Sequence, residues 1–343
     1  MNIGHIPLKS ALRSAESEAL IDIPNQRRMT FGELEERVCR LANGLTTTLK
    51  ANKGDRVAVL SKNCIEYMEI FFACARVGLI VQPLNWRLGA QELKQIIEDA
   101  TPSVLISSGE YDKASERLMA NVEINSHLAF DQELESSYEV LLRDSSPIEP
   151  EASKHVGDQD PVMILYTGGT TGRSKGALHS HKSVYMGMLN QTVAERVVPT
   201  DVYMLTGQMF HIPIVLAINY MSHGCPVVLI NFEAKLALEV IQREKVSAFL
   251  GITTMLNWMM AVDDFDRYDL SSLRNIQYGG GPMPPKVVKA ALKSFPCTLI
   301  QGYGQTEGTT MSFLSQEDHI KCIAGQNPER LASCGREGYV TSI

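Results

Sequence analysis

No two of the seven cysteines (Cys39, Cys64, Cys74, Cys225, Cys297, Cys322 and Cys334) form a C-x-x-C pair. The spacings that announce a zinc site or a disulfide framework are therefore missing, and most of the thiols sit in apolar contexts. Both features point to a reducing, cytoplasmic compartment with mainly buried thiols. Positive charge is not in excess: 32 Lys and Arg face 39 Asp and Glu, for a net charge of −7. That balance gives no electrostatic reason to expect nucleic acid as a partner. The first residues lack a basic region followed by an apolar one, so no secretory signal is read. A spanning helix needs about 20 uninterrupted, mostly apolar residues. The stretch 209–230 is broken by His211, Pro213, Asn219, His223, Gly224 and Pro226. It reads as a buried helix followed by a buried strand, and no transmembrane segment is expected. There is no short-period repeat and no low-complexity tract. What remains, 343 residues at 44% hydrophobic and 21% charged, is the composition of a soluble globular protein with more than one domain-sized unit.

A Walker A loop is also missing, although one run invites the comparison. Residues 166–176, YTGGTTGRSKG, hold four glycines, three threonines and two cations directly after the apolar Val162-Met163-Ile164-Leu165. A Walker loop sets Lys directly after its final Gly and Ser or Thr after the Lys. Here Lys175 stands three places after Gly172, and Gly176 follows it. Glycines still allow positive φ and close approach of amide N–H groups to a ligand. Threonine hydroxyls and a lysine complete a cradle for phosphate oxygens. The run points to a nucleotide triphosphate; the plainer alternative is an ordinary Gly/Thr turn.

Strand and helix signals alternate through both halves. Residues 56–60 read as a strand, and Asn63 with Glu66 three places later reads as a capping box for the helix that Gly78 ends. Residues 79–84 are a strand, 90–100 a helix and 104–106 a strand. Residues 143–161 are polar and read as a surface connection. Further strands fall at 202–205, 227–230, 248–250, 275–278 and 298–300, with helices at 234–244 and 285–294 among those between them. This alternation predicts an α/β fold of two packed α/β subdomains with largely parallel sheets. The approximate bounds are 50–190 and 200–330, the latter joined by 10–45.

Three unusual loops each follow a predicted strand: 167–176, 279–283 and 301–307. In open parallel sheets ligands bind beyond the carboxyl ends of strands, so the three are expected to line one cleft. In the third, Tyr303 offers a flat face for a nucleobase. Gly302 and Gly304 remove side chains that would block its approach. Thr306 adds a hydroxyl, and Glu307 a carboxylate suited to Mg²⁺, which prefers one or two carboxylates with phosphate oxygens and waters. Taken singly, Tyr303 also reads as a half-buried aromatic and Glu307 as a solvated surface charge.

YTGGTTGRSKG, then Met209-Phe210-His211, then GGGPMP at 279–284 and QGYGQTE at 301–307, in this order, resemble the adenylate-forming superfamily. That family includes acyl-CoA and aryl-CoA synthetases, adenylation domains of peptide synthetases and beetle luciferases. The resemblance spans nearly the whole chain and implies roles by position. Thr167, Thr170, Thr171 and Lys175, with Gly168, Gly169 and Gly172, match the loop that guides the β- and γ-phosphates. Thr306 matches a phosphate contact and Glu307 the Mg²⁺ carboxylate. Tyr303, flanked by Gly302, Gly304 and Gln305, matches the aromatic that stacks on adenine. Gly279, Gly280 and Gly281, with Pro282, match the segment between adenine and the acid pocket. His211 matches the position that gates the acid site; its plain alternative is a satisfied core histidine.

The sequence departs from the pattern in several places. Gly168 stands where Ser is usual, Ser174 where Pro is usual, and Thr253 replaces the Pro of an apolar-Pro-Thr segment. A neutral hydrogen bond contributes about 0.5–1.5 kcal/mol net, so Gly168 alone need not abolish phosphate binding. Cys334-Gly335-Arg336 resembles the Gly-Arg that precedes the family's barrel subdomain. The ribose-binding Asp, the hinge and the C-terminal lid domain with its adenylation Lys fall outside this sequence. Residues 1–343 are accordingly read as a truncated N-terminal AMP-binding domain.

The resemblance implies an acid–CoA ligase of the AMP-forming type, with ATP, Mg²⁺ and CoA. A carboxylate attacks the α-phosphorus of ATP, pyrophosphate leaves, and a thiol takes the acyl group from acyl-AMP. His211, Lys175, Thr306 and Glu307 are the expected catalytic residues; no Ser/His/Asp or Cys/His arrangement is needed. The apolar residues 212–218 and the lack of an acidic residue in 204–211 favour a fatty or aromatic acid. Two alternatives stay open: a nucleotide- or acid-binding fragment without turnover, and an adenylation domain serving a carrier-protein thiol. A homodimer is left open as the assembly.

Overall fold

The computed structural model describes residues 1–130, 135–167 and 174–342. The chain divides into two compact units. One comprises Met1–Glu18, Arg28–Val184 and Met209–His211; the other comprises Ala19–Arg27, Tyr185–Gln208 and Ile212–Ile343. The fold is mixed α/β with two largely parallel sheets.

In chain order the strands are β1 (Glu18–Asp22), β2 (Arg27–Thr30), β3 (Arg56–Leu60), β4 (Ile80–Pro83), β5 (Val104–Ser108), β6 (Ser126–Phe130), β7 (Pro161–Thr167) and β8 (Lys175–Ser180). They continue with β9 (Tyr203–Leu205), β10 (Val227–Leu229), β11 (Ala248–Leu250), β12 (Asn275–Gly279), β13 (Thr298–Gln305), β14 (Thr309–Leu314) and β15 (Arg336–Glu337). One sheet runs β6-β5-β3-β4-β7-β8, the other β15-β14-β13-β12-β11-β9-β10-β1-β2. Parallel pairing needs a crossover, which the predicted helices supply. Ala90–Ala100, Ala234–Glu244 and Pro285–Ser294 are all helical as the periodicity predicts. The 209–230 stretch forms the buried helix Pro213–Ser222 and the strand β10. No helix among the described residues is long and apolar enough to cross a membrane.

In the first unit the helix Ile65–Val77 is buried along its whole length and ends at Gly78 in the left-handed region (φ 76°). Two cations form ion pairs along it, Arg76 buried on the helix itself and Arg37 half-buried beside it. Arg76 donates to Glu35 and Glu149, and Arg37 donates to Glu69 and Glu139. The core of the second unit gathers Met204, Phe249, Ile276, Tyr278 and Leu299 under the helices that contribute Val240, Ile241 and Val288. Among the described residues Cys39, Cys64, Cys74, Cys225 and Cys322 are buried and in no disulfide, and Cys334 is exposed.

The structure corrects three expectations. Asn63 does not cap its helix: Cys64 is the N-cap residue and no side chain caps it. The Asn63 Oδ1 instead accepts the Met209 N–H at 2.9 Å, a long-range partner that local spacing cannot reveal. The 143–161 stretch is not a plain surface loop. Ser145 and Ser153 are buried, Glu149 holds Arg76, and Asn43 binds the carbonyls of Ser146 and Ile148. Residues 301–305 are not a loop but the end of β13, held between β12 and β14; the turn is confined to Thr306–Gly308. Separately, β8 lies antiparallel to β7, with Thr167 and Lys175 as register partners.

Candidate active site

In the first unit, β7 and β8 carry the flanks of the Gly/Thr run. Thr167 and Lys175 are register partners across the hairpin; Thr167 is half-buried and Lys175 exposed. Gly168, Gly169, Thr170, Thr171 and Gly172 lie outside the described residues. The next pair is Tyr166 and Gly176. A Cβ at Gly176 would sit 2.6 Å from Ile164 Cδ1 and 3.1 Å from Tyr166 Cζ, so the glycine leaves room for those side chains. The Tyr166 hydroxyl donates to Asp99 Oδ2 at 2.5 Å, at the end of the helix Ala90–Ala100. Burial and the Asp99 carboxylate push the Tyr166 phenol well above its ordinary pKa, so it stays a donor.

His211 closes the segment that Asn63 fixes at Met209. It keeps solvent access, yet the atoms packed round its ring disfavour the imidazolium and lower its pKa, leaving it neutral at pH 7.

The second unit holds the other predicted residues. Gly279 and Gly302 are register partners of the parallel pair β12–β13. A Cβ on Gly279 would collide with the Gly302 carbonyl oxygen, and one on Gly304 with the Thr309 carbonyl oxygen. At Gly302 it would lie 2.6 Å from Gln277 Nε2. Protein atoms therefore constrain all three glycines, beside the ligand approach expected at Gly302 and Gly304. Gly280 takes φ 72°, which starts the turn after β12, and Gly281 faces open space. Pro282 is exposed, and its carbonyl accepts the Thr253 hydroxyl at 3.3 Å. Thr253, which replaces the usual Pro, thus ties the start of its helix to the glycine loop.

Tyr303 is half-buried at a register shift in β13, and its hydroxyl accepts from Gln305 Nε2 at 3.1 Å. Thr306 is half-buried and Glu307 exposed in the turn, where the Gly308 N–H donates to the Gln305 carbonyl. Tyr303, Thr306 and Glu307 therefore share one β-hairpin end beside the Gly279–Gly281 strand end. Glu307 makes no ion pair among the described residues, so its carboxylate is available to a hydrated dication, which one carboxylate with phosphates and waters suits. Arg336 of the Gly335-Arg336 motif is bound bidentately by Asp318, whose carboxyl it holds down at about 2.

Asp99, and the bond from the Met209 N–H to Asn63, were missed by sequence reasoning. Asp99 lies 67 positions from Tyr166, and no local signal links them. The apolar 212–218 stretch supplies Ile214, Val215, Leu216, Ala217 and Ile218 to the buried face of its helix. Packing alone accounts for that apolarity.

The family model described as AMP-binding enzyme matches residues 8–338. A feruloyl-CoA synthase of Amycolatopsis sp is 29% identical over 344 residues, which are 99% of this chain and 65% of that protein. An indoleacetate–CoA ligase of Aromatoleum aromaticum is 31% identical over 290 residues, 82% of this chain and 56% of that protein. The inhibitor-bound N-terminal domain of FACL13 from Mycobacterium tuberculosis matches with a TM-score of 0.89 at 28% identity, covering 98% of this chain and 82% of that one. The chain thus spans less than two thirds of the length of these two curated relatives. A match that runs from residue 8 to residue 338 through every motif described above places the chain among the AMP-binding enzymes.

Proposed function

We propose that this chain is the ATP- and acid-binding part of an AMP-forming acid–CoA ligase acting on a fatty or aromatic carboxylic acid. The supporting observation is the hairpin end that groups Tyr303, Thr306 and Glu307 beside the strand end Gly279–Gly281. In this reading the Tyr303 ring takes the adenine face. Thr306 donates to a phosphate oxygen, while Thr167 and Lys175, with Thr170, Thr171 and the glycines between, hold the β- and γ-phosphates. Glu307 would hold Mg²⁺, which supplies charge neutralisation on the phosphates when bound. Neutral His211 stands at the acid's entrance. The carboxylate oxygen bonds to the α-phosphorus as the bond to pyrophosphate breaks, giving acyl-AMP. A CoA thiol then bonds to the acyl carbon and AMP leaves with the electron pair. Catalysis here rests on in-line positioning and on fixed charge facing the phosphate oxygens.

Pyrophosphate exchange that depends on both acid and ATP is the test. Exchange by this chain supports the ligase reading. ATP binding without exchange favours the fragment that binds and does not turn over, and absence of ATP binding removes the nucleotide reading altogether.

A further inference from the structure

The turn that carries Thr306 and Glu307 closes on Thr309, the register partner of Gln305. Thr309 is buried and takes φ 55°. Left-handed backbone suits Gly and, less often, Asn; for a β-branched residue it is a strained outlier. Gly308 stands next to it and does not take the left-handed conformation. The kink therefore falls on a residue with a branched side chain although one without any side chain is its neighbour.

Two glycines hold Thr309 in place. On one side its side chain fills the notch at Gly187 of the helix His181–Glu195. A Cβ at Gly187 would collide with Thr309 Oγ1 and lie 3.1 Å from Thr309 Cβ. On the other side the Thr309 carbonyl oxygen sits against Gly304, where a Cβ would collide with it. Three places along the same helix face, Asn190 Nδ2 donates to the Thr310 carbonyl at 3.3 Å, and Asn190 Oδ1 accepts the Val340 N–H at 2.9 Å. The Thr309 hydroxyl has no hydrogen-bond partner among the described residues, so what the notch recognises is shape. Strained backbone persists only where its surroundings over-determine it, and such residues cluster at functional sites.

We infer that Thr309 is a positioning residue, locked by Gly187, whose left-handed backbone aims Thr306 and Glu307 at the triphosphate and its dication. The inference rests on the ligase reading above, in which Glu307 holds Mg²⁺. Glu307 stands two places before Thr309 and makes no ion pair among the described residues, so the backbone of the turn sets where its carboxylate points. A misplacement of about 1 Å is enough to weaken a metal or phosphate contact. Filling the notch with the branched side chain keeps the turn from relaxing to an unstrained conformation that would point the carboxylate elsewhere.

Calorimetric titration with ATP, once in Mg²⁺ and once in EDTA, tests this on the parent chain, Thr309→Gly, Thr309→Val and Glu307→Ala. The readout is the gain in ATP affinity that Mg²⁺ brings, which a purely structural role would leave alone. Thr309→Gly eases the backbone and empties the notch, and that gain is expected to shrink at least threefold. Thr309→Val keeps the shape and should stay within twofold of the parent in both conditions. An undiminished gain in Thr309→Gly beside a diminished one in Glu307→Ala overturns the inference and leaves the metal reading standing. An undiminished gain in both overturns the two together. A loss in Thr309→Val as large as that in Thr309→Gly assigns the effect to the hydroxyl and also overturns the inference. Should Thr309→Gly not fold, Thr309→Asn, which accepts left-handed backbone without the branched shape, takes its place with the same expected loss.

Discussion

The Tyr166 hydroxyl and the Asp99 carboxylate meet at 2.5 Å, joining the β7–β8 hairpin to the end of the helix Ala90–Ala100. Because Gly176 opposite has no side chain, the Tyr166 ring has room beside it and the hydroxyl reaches the helix. Thr167 and Lys175 are the very next register pair, so this bond sets where two proposed phosphate ligands stand. Tyr166→Phe and Asp99→Ala are expected to weaken ATP and pyrophosphate binding about threefold to tenfold, the scale of part of a charge-assisted hydrogen bond. AMP binding should be unchanged, and Asp99→Asn, which keeps an acceptor, should recover most of the loss. Isothermal titration with the three ligands checks this; equal losses for ATP and AMP would reduce the bond to general stability.

Glycines that look alike in sequence should behave differently when replaced. Gly279→Ala forces a Cβ against the Gly302 carbonyl and should destabilise by about 1–3 kcal/mol, the usual scale of overpacking. Gly281→Ala meets no protein atom. Its unfolding midpoint should stay at the wild-type value, so any loss of ATP affinity there reports contact with ligand. Urea unfolding paired with ATP titration separates the two cases.

Glu307→Ala should weaken Mg²⁺·ATP binding by roughly tenfold, about 1.4 kcal/mol, as loss of one charged ligand implies. With EDTA present the variant and the parent should bind ATP alike. Unchanged affinity in Mg²⁺ would remove Glu307 from the proposed metal role.

Burial raises the Glu195 carboxyl to about 7, with the Tyr220 hydroxyl opposing the shift. The folded state therefore favours the protonated acid. This stability is fully present below the unfolded carboxyl's pKa near 4.5 and is lost as pH rises through about 7. Glu195→Gln should raise stability at pH 8 by on the order of 3 kcal/mol and change little at pH 4.5. Denaturation series at the two pH values give the readout; an equal effect at both would contradict the protonated, buried state.

Arg76 is fully buried between Glu35 and Glu149 and also donates to the Gly4 carbonyl. Arg76→Leu strands the Glu35 carboxylate without its partner. A loss of about 3–5 kcal/mol is expected, the scale for breaking a buried ion pair. Thermal and urea unfolding measure it, and Arg76→Lys should recover only part because it cannot bind two carboxylates in the same fork geometry.

Helix spans were the most legible part of the fold. The 3.6-residue recurrence of apolar positions marks Ala90–Ala100, Ala234–Glu244 and Pro285–Ser294, and Gly78 stops its helix by adopting the left-handed conformation. The β13 extension was not legible. Gly302 and Gly304 weaken any local strand signal, and only pairing with both β12 and β14 extends that segment. Asn63 looked like a cap because its neighbours fit a capping pattern; burial next to Met209 gave it a different partner. The kinds of residue offered for phosphate, adenine and metal could be named from motif order, whereas Asp99 could not.

By itself the amino-acid order determined the alternating α/β plan, the motif succession that marks an AMP-binding enzyme, and the candidate chemistry of Thr306 and Glu307. These follow from short-range periodicity, turn stereochemistry and the functional groups themselves. Only the tertiary structure decided that Gly279 and Gly304 answer to neighbouring carbonyls and that Tyr166 is tethered to Asp99. Burial and strand register set those outcomes. Both depend on residues far apart in the chain, whose meeting no local pattern encodes.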